Sequence, residues 1–257
     1  MWDSPDFLRL PVRAAKPRST GVTHVLDKGA PPVVIEGLLA SAADHIDVVK
    51  IGWGIGYVDR AFKLRLAAYQ SADIQVCLGG TMLEIAVAQG ELPALVRWAA
   101  AHGIDALEVS NGLGWMAPGV QRALVAELAA DFTVLAEAGV KDAAVPVAAA
   151  EWAEEMNADL AAGARWVVAE GRESGTVGIY EPDGSVRSAF VEDLVGSVDL
   201  ARVIFETPSK TQQSWFIRRF GPDVNLGNIA VDDVLPLETL RLGLRADTAI
   251  RPSAVRP

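Results

Sequence analysis

Eight times along this chain, a short apolar run rich in β-branched residues ends in a polar, Gly-bearing turn and gives way to a stretch with helical spacing of apolar residues. The runs begin near Val22 (VTHVLDKG), Asp47 (DVVKIGWG), Asp73 (DIQVCLGG), Ala106 (ALEVSNG), Phe132 (FTVLAEAG), Trp166 (WVVAEGRESG), Arg202 (RVIFETP) and Asp223 (DVNLGNI). A strand that is apolar throughout is buried on both faces, as in parallel sheets. Alternation with helices then requires βαβ crossovers. Eight such units in 257 residues predict a closed (β/α)8 TIM barrel, one domain over 1–257 with short flexible tails at both ends. An open doubly wound sheet is the alternative. No GxGxxG follows the first run, which counts against it.

The intervening stretches predict a helix from Val58 to Tyr69, and another from Glu151 to Ala162 with Gly163 as its stop. Leu83 to Ala101 reads as two short helices broken near Gly90 and Pro93. The segment from Ser174 to Val186 is a longer connection. Its Pro182-Asp183-Gly184 turn predicts a small hairpin, either a lid over the active-site face or a surface decoration.

Aromatic residues make up only 7% of the chain, so the core must be mainly aliphatic. The net charge of -10 argues against nucleic acid as a partner, which demands a basic surface. It leaves room for a small anionic ligand gripped by a few local cations. Cys77 is the lone cysteine, so no intrachain disulfide can form. No apolar run is long enough to cross a bilayer, and no leader pattern opens the chain. The expectation is a cytoplasmic protein with no membrane partner. Apolar helix positions such as Trp215 to Ile217 would suit a homo-oligomer.

In such a barrel the C-terminal ends of the strands converge on one funnel, so the residues that end each run matter most. They are polar in nearly every case: Asp27 and Lys28, Lys50, Gly79-Gly80-Thr81, Glu108 with Ser110 and Asn111, Glu137, Glu170 with Arg172 and Glu173, Glu206, and Asn225 with Asn228. Charges inside apolar strands are costly unless paired or bound to something. Glu137, Glu170 and Glu206, with Asp27, are candidate oxygen ligands for Mg²⁺; their alternative is pairing with Lys50, Lys141 and Arg172. Arg172 suits a carboxylate or phosphate, and Lys141 suits proton transfer. The usual phosphate position after the last two strands points to Gly227, Asn228 and Lys210, with Ser110 a further substrate contact. His24 reads as a core histidine.

Several segments resemble the phosphosulfolactate synthase family: KPRSTGVTHVLDKG, VKIGWG, GGTMLE, AEGRESGTVGIY, and FETPSKTQQSWFI with FGPDVNLGNI and LETLRLGLRADT. The similarity runs from about Lys16 to Thr248. It implies a (β/α)8 barrel and a carbon–sulfur bond-forming lyase that adds sulfite to phosphoenolpyruvate with Mg²⁺. It further implies that Lys141 protonates the carbon next to the carboxylate, that Arg172 steadies charge there, and that Lys28, Lys50 or Lys210 attracts the nucleophile or holds the phosphate. The chain departs from the family's pattern at Ile55-Gly56 and at Leu113, where polar residues are usual. Those departures motivate an alternative, a sister enzyme acting on a similar phosphorylated acid with another nucleophile. A second alternative is a non-catalytic homologue of the heat-stress-associated kind; the charged strand ends argue against it.

Overall fold

The computed structural model describes residues 5–117, 119–139 and 148–249. The runs form β1 (Thr23–Asp27), β2 (Val48–Ile51), β3 (Gln75–Leu78), β4 (Ala106–Val109), β5 (Thr133–Ala138), β6 (Trp166–Ala169), β7 (Val203–Glu206) and β8 (Asn225–Ala230). All are parallel, each pairs with the next, and β8 pairs with β1 to close the barrel. The described helices are α1 (Pro32–Ala42), α2 (Ile55–Val58), α3 (Phe62–Ser71), α4 (Gly80–Ala88), α5 (Leu92–Ala101), α6 (Val120–Leu128), α7 (Ala149–Ala162), α8 (Ser188–Val195), α9 (Lys210–Phe220) and α10 (Val234–Arg241). None is long and apolar enough to cross a membrane.

Two apolar regions hold the structure. The larger lies between the sheet and the helices; the smaller fills the barrel itself with Val22, Val48, Cys77, Ala106, Leu135, Trp166, Val168 and Ile204. Strand side chains alternate, so every second residue points inward. On five strands the inward face therefore reads apolar, then charged two residues later. Val48 is followed by Lys50, Ala106 by Glu108, Leu135 by Glu137, Val168 by Glu170 and Ile204 by Glu206. The floor of the barrel is dry and its upper layer is charged.

The helices bring one correction. The stretch expected as a single helix from Val58 to Tyr69 is broken between α2 and α3, because Asp59 accepts the Ala61 N–H at 2.8 Å and binds Arg65. A short acceptor side chain thus competes with the helical hydrogen bonds and starts α3 afresh. Elsewhere α4 and α5 separate at Gly90, which has φ +73°, and Gly163 ends α7 in the left-handed conformation that glycine tolerates.

Candidate active site

The C-terminal ends of the strands surround a cavity of about 560 Å³. Lys50, Glu108, Ser110, Glu137, Glu170, Arg172, Glu206 and Asn228 line it, with Gly79, Gly80 and Thr81 at the start of α4 and Trp53 and Leu113 towards the mouth. Among the described residues, four other than glycine have a left-handed φ. Three of them are in this lining: Trp53 (46°), Arg172 (55°) and Asn228 (53°). Strained backbone gathered at one site marks a place where side-chain direction takes precedence over backbone comfort.

Carboxylates set the electrostatics. Lys50 is buried and donates to Glu108 Oε2 at 2.8 Å and Glu206 Oε1 at 3.2 Å. The other oxygens of those two acids are fixed by backbone donors: Gly80 N–H meets Glu108 Oε1 at 3.0 Å, while Gly171 and Arg172 N–H meet Glu206 Oε2 at 3.0 and 2.7 Å. Burial alone would pull the Lys50 ammonium down, but Glu108, Glu206 and Glu137 more than offset it and hold Lys50 well above the ordinary lysine value. Burial, and then the charges of Glu108, Glu206 and Glu170, push Glu137 well above the usual carboxylate range, with Lys50 opposing only in part. Arg172 Nε donates to Glu170 Oε1 at 3.0 Å.

One oxygen each from Glu108, Glu137 and Glu206 lies within 4.8 Å of the others, a group able to hold a metal ion. Three hard carboxylate oxygens facing an open cavity are the kind of donor set Mg²⁺ takes, with water completing its shell. Glu137 and Glu206 of the expected ligands are in this group. Glu108 joins them, and Glu170 lines the same cavity beside Arg172. Asp27 is elsewhere. It points away from the barrel axis, where it accepts from Arg65, from Tyr69 at 3.0 Å, and from Gly29 and Ala30 N–H at 2.8 Å each. Its carboxylate shapes the β1–α1 turn and ties it to α3.

Of the other expected residues, Lys50, Arg172, Ser110 and Asn228 are cavity residues. Lys28 is exposed beyond β1 and outside the lining. Lys210 is exposed at the start of α9, paired with Asp247 at 3.2 Å. Gly227 lies in the wall below the cavity, where a Cβ would come 2.8 Å from Ile204 and 3.0 Å from His24. Lys141 lies outside the described residues. His24 is buried as expected. Its Nδ1 faces Asn228 N at 3.5 Å, its Nε2 finds no partner among the described residues, and burial keeps the ring neutral.

One supporting residue, Glu84, escaped the sequence reading. Glu84, on the inner side of α4, accepts from Ser110 Oγ and from Leu113 N at 2.6 Å, and so holds the β4–α6 loop against α4. The loop is braced again by paired bonds between Asn111 and Met116 of 3.1 and 3.0 Å. The connection after β6 forms the expected small hairpin, with Tyr180 bridging Val186. Gln212 of α9 donates to Gly175 O at 2.8 Å and Gly184 O at 3.1 Å, and Tyr180 donates to Glu206 O. In this position the hairpin is a strap latched over Glu206 and Arg172. The departures at Ile55 and Gly56 do not reach the cavity: Ile55 is buried, and Gly56 packs against Trp98 on the outer side. Leu113 does reach it.

The sequence model of the (2R)-phospho-3-sulfolactate synthase (ComA) family matches residues 11–247. Phosphosulfolactate synthase of Bacillus subtilis (strain 168) is 42% identical over 247 residues, covering 95% of this chain and 98% of that protein. Phosphosulfolactate synthase of Methanothermobacter thermautotrophicus is 39% identical over 250 residues, covering 95% and 96%. Among solved structures, an HpcH/Hpal aldolase/citrate lyase family protein from Burkholderia cenocepacia J2315 superposes with a TM-score of 0.55 over 89% of this chain and 95% of its own, at 14% identity. That likeness bears on the barrel alone.

Proposed function

The chain belongs to the phosphosulfolactate synthase family, and from that premise we propose that it is a lyase joining sulfite to phosphoenolpyruvate to give phosphosulfolactate. The observation that carries this reading is the meeting of four glutamates with Lys50 and Arg172 in one cavity of about 560 Å³. A small, highly anionic substrate can enter such a site only if cations answer its charge.

In the reaction, the sulfur lone pair of sulfite attacks the methylene carbon. The C–S bond forms while the double-bond electrons move towards the carboxylate, and a proton then closes the neighbouring carbon. A Mg²⁺ held by Glu108, Glu137 and Glu206 would supply Lewis-acid stabilisation of the charge that builds on the carboxylate. Arg172, kept in place by Glu170 and by its own backbone bond to Glu206, presents a planar cation to a carboxylate or phosphate. Lys50 supplies positive charge from the cavity floor. Thr81 and the backbone at the start of α4 offer donors to anionic oxygens. Ser110 donates its own hydroxyl proton to Glu84, so it faces the cavity as an acceptor. The proton donor is proposed to be Lys141, on the sequence reading. The compartment proposed is the cytoplasm.

Incubation with phosphoenolpyruvate, Mg²⁺ and sulfite, followed by ³¹P NMR and mass spectrometry, tests the proposal. The expected result is a sulfite adduct that vanishes without sulfite or with EDTA. Leu113, an apolar residue that lines the cavity in the loop after β4, favours a second reading: another nucleophile on the same kind of phosphorylated acid. Phosphoenolpyruvate binding without a sulfite adduct would select that reading.

A further inference from the structure

Lys50 stands where a metal would. The two oxygens it binds, Glu108 Oε2 and Glu206 Oε1, are the ones those residues can offer to the cavity, since their partner oxygens are held by Gly80, Gly171 and Arg172 N–H groups. Rotating either carboxylate by half a turn merely exchanges its oxygens; one must still serve the backbone. An ion held by Glu108, Glu137 and Glu206 through their cavity-facing oxygens would compete with the Lys50 ammonium for Glu108 Oε2 and Glu206 Oε1. They also repel each other at that range.

The surroundings decide where the ammonium can go. Lys50 is flanked in register by Leu26 on β1 and Cys77 on β3, which give it no strong acceptor. Beneath it lie neutral His24 and the dry barrel floor. Above it is the cavity.

We infer that Lys50 is a built-in cation that keeps the three-carboxylate site closed, and that metal entry drives its ammonium up into the cavity to become part of the anion-binding surface. Metal and anionic substrate then bind in order. Without metal, Lys50 is consumed by Glu108 and Glu206 and the cavity presents mainly negative charge. With metal bound, the carboxylates are neutralised and a lysine is released towards the substrate. One residue thus links the two loadings, as ligand-driven population shifts require. The inference rests on reading the three carboxylates as the metal site.

Two measurements test it, both on the whole chain at about pH 8. Mn²⁺ binding, followed by the electron paramagnetic resonance signal of the free ion, is compared in wild type, Lys50→Met and Glu137→Gln. Removing the competitor should tighten Mn²⁺ binding about tenfold or more in Lys50→Met, while Glu137→Gln should weaken it by at least that factor. Acylation of Lys50 by an amine-reactive reagent, read by peptide mass spectrometry, needs no substitution at that residue. Saturating Mg²⁺ should raise Lys50 labelling several-fold in wild type and leave it low in Glu137→Gln. Persistent protection of Lys50 in Mn²⁺- or Mg²⁺-loaded wild type, or unchanged or weaker Mn²⁺ binding in a folded Lys50→Met, overturns the inference. If Glu137→Gln binds Mn²⁺ as well as wild type, the metal lies elsewhere, and the metal assignment falls together with the inference. If Glu137→Gln loses Mn²⁺ while Lys50 stays protected in metal-loaded wild type, the metal site stands and only the inference fails.

Discussion

Both ends of this barrel bury charged residues, and they do so in opposite ways. At the N-terminal end, arginines are spent on closing the backbone. Arg241 is fully buried and donates to Pro222 O, to Val224 O at 2.7 Å and to Val22 O at 3.1 Å. Arg13 binds Gly21 O, Asp223 and Glu238; Arg18 binds Ala14 O, Asp44 O and Asp47. Carbonyls and acids there answer the cations group by group. At the C-terminal end Glu108, Glu137, Glu170 and Glu206 crowd around Lys50 and Arg172, and the cluster opens on a cavity. Buried charge alone therefore says little about function. Crowding of one sign against solvent space says more, because folding gains nothing from it.

The largest effects should separate the two ends cleanly. Glu137→Gln removes a like charge from the crowded cluster, so turnover should fall by about 10³-fold while folding stability is unchanged or slightly raised. Arg241→Met removes the guanidinium bonds to Pro222 O, Val224 O and Val22 O, of which Pro222 O keeps Arg13 and Val22 O keeps the Leu226 N–H. Stability should fall by about 3 kcal/mol through the three lost charge-assisted bonds. Burial has already pulled Arg241 down to about 9, a sign of how little solvent helps it. The kcat of the folded fraction of Arg241→Met should match wild type. Denaturant unfolding and steady-state rates check both variants. A large stability loss in Glu137→Gln would falsify the contrast.

The flank of the barrel offers a third case, a buried and a half-buried acid that line none of the described cavities. Asp159 of α7, only 2% exposed, is raised from 3.8 to about 6, mainly by burial, while Arg122 and Gln121 oppose the shift. Glu155, one turn before it, is raised from 4.5 to about 7 by burial and by Asp159. A folded-state value above the unfolded one means that the folded chain holds the proton more tightly. Stability from this pair is therefore greatest below about pH 4, falls as pH climbs to about 7, and levels off above that. Asp159→Asn should gain on wild type over the same window, by about 2 kcal/mol at pH 8. Unfolding curves across pH check this, and a pH-independent difference between the two proteins would sink it. Activity should be indifferent to the change, which would show that a raised carboxyl outside the strand-end cavity is only a local cost.

The sequence makes the barrel legible because strands buried on both faces leave continuous apolar runs, and no described strand begins more than two residues from the start of its run. The same property hides the site's membership. When both faces are apolar, the run does not say which parity points inward. Asp27 and Lys50 each end a run, yet Lys50 follows the inward Val48, whereas Asp27 follows the inward Leu26 by a single residue and so faces Arg65 and Tyr69. The charges at Glu137, Glu170 and Glu206 were visible, but the grouping of Glu108 with Glu137 and Glu206 needed the register across the barrel. Glu84 left one signal, a lone acid in the otherwise uncharged stretch GTMLEIAVA.

Glu84's role yields an intermediate effect. Gly80 has room for no side chain, because a Cβ there would come 2.1 Å from Ser110 Oγ. Gly80→Ala should push Ser110 from Glu84 and disturb the Gly80 bond to Glu108, lowering kcat/KM by about tenfold with a smaller change in stability. Purely structural damage would instead appear in the unfolding midpoint and leave the kinetics of the folded protein alone.

The smallest effects test Gly56 and Leu113, the two places where the sequence resemblance leads one to expect a departure from the family pattern. Gly56 and Leu113 are equally conspicuous in sequence but fall on different sides of the cavity wall. A Cβ at Gly56 would come 2.9 Å from Trp98, whose ring stacks on Phe62 at 5.3 Å between centroids. Gly56→Ser should thus cost about 1 kcal/mol of stability through overpacking and leave KM for every substrate unchanged. Leu113 lines the cavity, and its backbone is already held by Glu84, so Leu113→Ser should not move the loop. It should shift stability by no more than about 0.5 kcal/mol and change KM for the nucleophile by a few-fold, while KM for the phosphorylated acid stays put. If sulfite is the natural nucleophile, the serine should leave its KM within that few-fold range. A marked gain in sulfite use by Leu113→Ser would mean that the leucine is set against sulfite, and the contrast between cavity and flank would then identify the residue that chose another nucleophile.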